Sequence, residues 1–185
     1  YHSELALWGD TVAKRPENAR ARVNLGIALV ESGRISEAIA QYEAAIRIQP
    51  ENAIAHLNLC GAFTRLGRLA EAVGQGETAV RLDPRNANAR INLGLALVAL
   101  GRAGEAVPHY EEALRLEPEA ADAYANLGAA LLQLGRTAEA VAHYQTAVRL
   151  EPGRAQTWCD LALARAQQGV QAASRRAGEH ALLLR

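Results

Sequence analysis

Apolar and small residues return along this chain at fixed places in a period of 34. In rows beginning at Ala19, Ala53, Ala87, Ala121 and Ala155, the seventh place holds Leu25, Leu59, Leu93, Leu127 and Leu161. Places in a row are called columns below. Column 8 holds Gly26, Cys60, Gly94 and Gly128, and column 20 holds Ala38, Ala72, Ala106, Ala140 and then Ser174. Column 24 carries Tyr42, Tyr110 and Tyr144, with Gly76 in row two and Gly178 in row five. The punctuation is as regular. Gly33, Gly67, Gly101, Gly135 and Gly169 fill column 15, and Pro50, Pro84, Pro118 and Pro152 fill column 32, with Pro16 one period earlier.

Each row therefore predicts two helices. The first runs over columns 2–14, with Asn18, Asn52 and Asn86 placed to cap it, and stops at the glycine of column 15. The second runs over columns 18–31 and is ended by the proline. Residues 1–18 read as the second helix of a partial preceding row, with Trp8 standing in for the tyrosine; rows follow at 19–52, 53–86, 87–120, 121–154 and 155–185, the last degenerate and capping. The small residues of columns 8 and 20 predict close approach of the two helices, and the tyrosines are expected to supply bulk against the next row. Gly74 and Gly76 predict that the second helix of row two is the weakest. Glu43/Arg47, Glu77/Arg81 and Glu111/Arg115 are i,i+4 pairs on the outer face and read as solvated stabilisers. One row cannot bury its apolar stripe alone, so the rows must stack, giving an all-α solenoid of antiparallel helix hairpins.

The residues Tyr124-x2-Leu127-Gly128…Ala140-x3-Tyr144…Pro152 resemble the signature of the tetratricopeptide repeat family, over nearly the whole chain. That resemblance implies a right-handed superhelix whose first helices line a concave groove, and a non-catalytic role in binding other proteins.

Composition narrows the functions. Lys and Arg number 20, as do Asp and Glu, so no net charge steers the chain toward nucleic acid or an anionic membrane. No apolar run approaches the roughly 18 residues of a membrane span, so no insertion of this piece in a bilayer is expected. The absence of Met and the start at Tyr1 suggest a piece of a longer protein. Cys60 and Cys159 are too far apart in sequence for a metal motif and read as packing residues. His109 and His143 share column 23, one repeat apart, and read as a solvated face. No nucleophile–base pair, phosphate loop, metal motif or cofactor motif is legible, so no enzyme activity, metal or cofactor is expected.

Column 6 carries the candidate chemistry. It holds Asn24, Asn58, Asn92 and Asn126, then Asp160, whereas column 2 varies freely as Arg20, Ile54, Asn88, Asp122 and Gln156. Asparagine is a poor mid-helix residue because its side chain competes for backbone hydrogen bonds. Two readings stand. The amides bond to an adjacent helix and fix the stacking register, or they line a binding wall where each offers a donor and an acceptor to the backbone of an extended peptide. The second arrangement resembles the asparagine ladder of O-linked N-acetylglucosamine transferases, which implies a peptide-binding role for Asn24, Asn58, Asn92 and Asn126; the carboxylate of Asp160 only accepts. Val23, Ile27, Leu57, Ile91, Leu95 and Ala125 are the expected apolar floor. Clamps of the family for acidic chaperone tails carry Lys or Arg where this chain has Val23, Ile27, Asn88 and Asn92, and only Asn58 matches them. The segment 3–26 also resembles the entry to the repeat tail of membrane-embedded mannosyltransferase-type proteins. The expected function is an interaction module that holds an extended peptide in its groove. The alternatives are self-association, through the apolar end Ala181-Leu182-Leu183-Leu184, or a substrate-recruiting tail of a membrane glycosyltransferase.

Overall fold

The computed structural model describes the backbone of residues 2–183 and the side chains of residues 4–173. Among them there are helices and no strand. The helices are α1 His2–Lys14, α2 Ala19–Glu31, α3 Ile35–Ile48, α4 Ala53–Arg65, α5 Leu69–Leu82, α6 Ala87–Ala99, α7 Ala103–Leu116, α8 Ala121–Gln133, α9 Thr137–Leu150 and α10 Ala155–Leu183. They cluster into two compact units, Tyr1–Arg102 and Ala103–Arg185. In the first, α2 packs on α3, α4 on α5, and successive hairpins stack; in the second, α8 packs on α9, with α7 and α10 on either side.

The helix boundaries follow the punctuation. The side chains of Asn18, Asn52 and Asn86 accept from the N–H groups of Ala21, Ala55 and Ala89, each at 3.0 Å. Row four has Ala120 at that place, and α8 starts without a side-chain cap. Gly33, Gly67, Gly101 and Gly135 close the first helices at φ between 73° and 82°, where a Cβ would strain the turn. Gln49, Asp83 and Glu151 precede prolines and leave the helix at φ −134°, −133° and −126°, the extended region a following proline imposes. Pro108 lies in the first half of α7, on its exposed side, where it removes one backbone donor.

A polar clamp follows each of three glycines. Arg34 holds Glu37, Arg68 holds Glu71 and Arg136 holds Glu139 through paired N–H···O bonds of 2.6–2.7 Å across the first turn of α3, α5 and α9. The outer-face pairs expected from sequence do not form: among the described residues none of Glu43/Arg47, Glu77/Arg81 and Glu111/Arg115 closes, and Arg115 instead turns back to Glu112 at 2.7 Å. Row five lacks the clamp, with Val170 and Ala173 where the others have Arg and Glu. There the predicted turn is absent: α10 runs unbroken through Gly169, so the fifth row is one long helix and not a hairpin. The side chains of Leu182 and Leu183, and all of Leu184, lie outside the described residues.

The core sits between the paired helices. Ala38, Ala72, Ala106 and Ala140 of column 20 are all 0% exposed. Tyrosines of column 24 lie over the glycine of their own hairpin rather than acting only on the next row. A Cβ on Gly26 would stand 2.3 Å from the Tyr42 ring, and one on Gly128 would stand 3.1 Å from that of Tyr144. Row two reverses the sizes. Cys60 takes the glycine's place and Gly76 the tyrosine's, and a Cβ on Gly76 would lie 3.1 Å from both Cys60 Sγ and Leu93. Leu93 of α6 thus seats itself on α5, and α4 and α6 touch along more of their length than α2 and α4 do. Tyr110 is buried with a hydroxyl that has no hydrogen-bond partner among the described residues.

These contacts separate three glycine substitutions. Gly74 has nothing within 4 Å of a would-be Cβ, so Gly74→Ala should stabilise by up to about 1 kcal/mol. Gly26→Ala should cost about 1–3 kcal/mol by overpacking, and Gly76→Ala should fall between them. Chemical denaturation of the three variants checks the order. The clamps also set an acid response. The hydrogen bond from its arginine holds Glu37, Glu71 and Glu139 each below the usual carboxylate range. Their contribution is therefore present above that range and is lost as pH falls through the lowered values. Melting curves of wild type and an Arg34→Gln/Arg136→Gln variant should differ at pH 7 and converge as pH falls below about 4.

Candidate functional site

A clasp at column 4 sets which faces of the hairpins remain free. At column 4, Arg22 Nε donates to the Pro16 carbonyl at 2.8 Å, Arg90 Nη2 to that of Pro84 at 2.8 Å and Trp158 Nε1 to that of Pro152 at 2.9 Å. His56 Nε2 makes the same contact with Pro50 at 2.9 Å. In rows one, two and four the column-4 side chain also reaches column 23 of its own row. Arg22 donates to Gln41 at 3.0 Å, His56 Nδ1 lies 2.7 Å from Gln75 Oε1, and the Tyr124 ring stacks on His143 with centroids 5.9 Å apart. Column 23 is thus part of the hairpin's closure and not a solvated face. Burial, the larger effect, lowers the pKa of His143 against the raising influence of Glu139 and Glu111. What column 4 shares is a side chain with an N–H to give or a flat ring to stack; no hydropathy pattern marks it.

The free wall belongs to the first helices. In the first unit α2, α4 and α6 lie beside one another, and Asn24, Asn58 and Asn92 are half-buried on them. Among the described residues the amides of Asn24, Asn58, Asn92 and Asn126 form no hydrogen bond to another protein group, unlike those of Asn18, Asn52 and Asn86 at the helix starts. The register reading needs a bond to a neighbouring helix, and none is made. In the second unit Asn126 is half-buried on α8, and Asp160 on α10 accepts from Gln156 Nε2 at 2.9 Å, one turn earlier.

Asn58 and Asn92 come together in a hollow of about 270 Å³ in the first unit. Val30, Tyr42, Gly61, Thr64, Arg65 and Leu95 also line it. Gly61 opens the space. It stands in column 9, where other rows carry Ile27, Leu95 and Ala129, and the Asn92 amide nitrogen lies 3.5 Å from the Cβ it lacks. The expected floor is divided. Ile27 and Leu95 are 37% and 38% exposed, while Leu57 and Ala125 are half-buried. Val23 and Ile91 are only 5% and 8% exposed and belong to the core. Column 9 lies about 40° further round the helix than column 5, enough to pass from core to surface.

Burial also acts on the tyrosines of column 24. Burial pushes the Tyr42 phenol up to about 12, with Arg65 pulling it back and Glu31 adding to the rise. Tyr144 is likewise pushed up to about 12 by burial and then by Asp160. Both remain neutral donors at any ordinary pH. The Cys60 thiol is pushed up to about 12 by burial and is inert packing. No group of His, Cys, Asp or Glu among the described residues could hold a metal ion, and none of these helices is long and apolar enough to cross a membrane.

Comparison with known proteins places the fold. The family model described as "Tetratricopeptide repeat" matches residues 5–50, 23–87, 91–155 and 130–183. No curated protein sequence matches the chain. Among solved structures, YrrB, described as a TPR protein with an unusual peptide-binding site, superposes with a TM-score of 0.70 at 22% identity over 88% of this chain and 84% of its own. A thermophilic TPR protein of Thermus thermophilus superposes at 0.74 and 23% identity over 88% and 89%. MamA superposes at 0.71 and 26% identity over 83% and 91%.

Proposed function

The chain belongs to the tetratricopeptide repeat family, and on that premise we propose that it is a non-catalytic module that grips the backbone of an extended peptide along the wall of its first helices. Repeats of this family are protein–protein interaction modules and generally scaffolds, so a protein or peptide partner is the coarse expectation. The finer reading rests on one observation. The column-6 amides of Asn24, Asn58, Asn92 and Asn126 stand half-exposed with their hydrogen-bonding groups unused by the protein. An amide offers both a donor and an acceptor, which matches a peptide unit and is indifferent to its side chain. The apolar surface beside them, Ile27 and Leu95, suits a chain with modest side-chain demands. YrrB, with its peptide-binding site, supports the reading by analogy of fold.

A neutral hydrogen bond contributes about 0.5–1.5 kcal/mol net. An Asn92→Ala change should therefore weaken binding of an acetylated, amidated alanine–serine dodecapeptide several-fold. Changing Asn24, Asn58 and Asn92 together should weaken it far more, since sites a repeat apart add. Melting should be unimpaired, because alanine is the better helix former. Calorimetric titration with parallel melts decides: a triple variant that binds unchanged would sink the reading.

A second reading, self-association, is favoured by α10, whose Trp158, Leu163 and Val170 side chains are exposed. A Leu163→Glu/Val170→Glu variant should then sediment as a lighter species than wild type at high concentration. Equal mass for both would remove this reading.

A further inference from the structure

The hollow in the first unit has more donors than a peptide backbone requires. Asn58 and Asn92 balance donor with acceptor and the Tyr42 hydroxyl can do either, but the Arg65 guanidinium adds N–H groups with no acceptor. Arg65 is the one charged residue of the lining, and among the described residues it forms no ion pair. Its neighbours of like type are committed elsewhere: Arg68 holds Glu71 and lies 4.2 Å over the Phe63 ring. Thr64 has already given its proton to the Cys60 carbonyl at 2.8 Å. Tyr42 is buried, and among the described residues its hydroxyl forms no hydrogen bond. The space is about nine times the share of liquid volume that one water takes, enough for a short side chain beside a peptide unit.

We propose that this hollow is a specificity subsite for an acidic side chain, a Glu or Asp carried by the extended peptide, with its carboxylate on the Arg65 guanidinium and its backbone on Asn58 and Asn92. The inference rests on the peptide reading above and adds to it the identity of one residue of the ligand. A carboxylate only accepts, so it takes up the donors that a backbone leaves over, and a guanidinium meets it with two parallel N–H groups. The position is specific to row two. Column 13 is Glu31 in row one, Ala99 in row three and Gln133 in row four, and only row two has Gly61 to open room beside it. Row one has Glu31 in place of the cation, so the same acid finds no partner at that column.

The test uses the whole chain and four alanine–serine dodecapeptides. Three are acetylated and amidated, with a central Glu, Gln or Lys, and the fourth has a central Gln and a free C-terminal carboxylate. Titrations followed on the side-chain amide resonances of Asn58 and Asn92 give affinity and place together. The Glu probe should bind about three- to five-fold more tightly than the Gln probe, the range of a partly exposed ion pair, and the Lys probe more weakly than either. The margin should shrink as salt rises. Arg65→Gln should bring the Glu and Gln probes to one affinity. Equal binding of Glu and Gln by wild type, or a margin that survives Arg65→Gln, overturns the acidic subsite and leaves the backbone reading standing. Tighter binding of the free-terminus probe than of the Glu probe would assign the anion to a chain end and overturn the side-chain proposal. If no probe shifts either resonance up to millimolar peptide, the backbone reading falls, and the subsite that rests on it falls with it.

Discussion

A tyrosine ring lying where a Cβ would otherwise be is the contact on which each hairpin of this type depends. Gly26 has Tyr42 so close that an added methyl would overlap the ring, and Gly128 has Tyr144 nearly as close. The arrangement lets two helices approach until the alanines of column 20 lose all exposure. Dispersion and apolar burial at that distance hold the pair together, and the flat ring fills what the glycine leaves. Row two keeps the same logic with the sizes reversed, and because Cys60 is smaller than tyrosine the space is filled by bringing Leu93 in. An apparent defect in the repeat is therefore a local change in how neighbouring rows meet.

Polar groups then fix the geometry that packing permits. Column-4 donors tie the start of α2, α4, α6 and α10 to the proline carbonyl before it, and in rows one, two and four the column-4 side chain also reaches column 23. The arginine–glutamate clamps pin the start of second helices after the glycine turns. Their removal in row five coincides with the disappearance of the turn itself, for α10 runs straight through Gly169. A glycine permits the left-handed turn but does not impose it; where no clamp follows, continued backbone hydrogen bonding of the helix wins.

Because these devices consume the polar groups of columns 4, 16, 19 and 23, the column-6 amides stand apart. Among the described residues the amides of Asn24, Asn58, Asn92 and Asn126 are half-buried mid-helix groups with no hydrogen bond to the protein, beside exposed Ile27 and Leu95. The hollow beside Asn58 and Asn92 arises where the repeat departs from itself, at Gly61 and Arg65. A regular array supplies a surface indifferent to ligand sequence, and its irregularities supply whatever discrimination it has.

The period of 34 and the all-α class were legible in the sequence, and the helices of the first four rows lie one residue earlier than the columns expected, because glycine, proline and, in rows one to three, a capping asparagine act through local backbone geometry. The column-6 amides were legible as an anomaly for the same reason: asparagine in mid-helix conflicts with local preference. Local preference could not decide which partners the side chains choose. The pairs expected at Glu43/Arg47 and its equivalents gave way to Arg34–Glu37 and its equivalents, and Val23 and Ile91 turned into the core instead of onto the wall. The hollow at Gly61 and the unpaired Arg65 were not legible either. Each depends on how far apart two helices stand, and that distance is set by side chains a full row away in sequence that meet only when the hairpins stack.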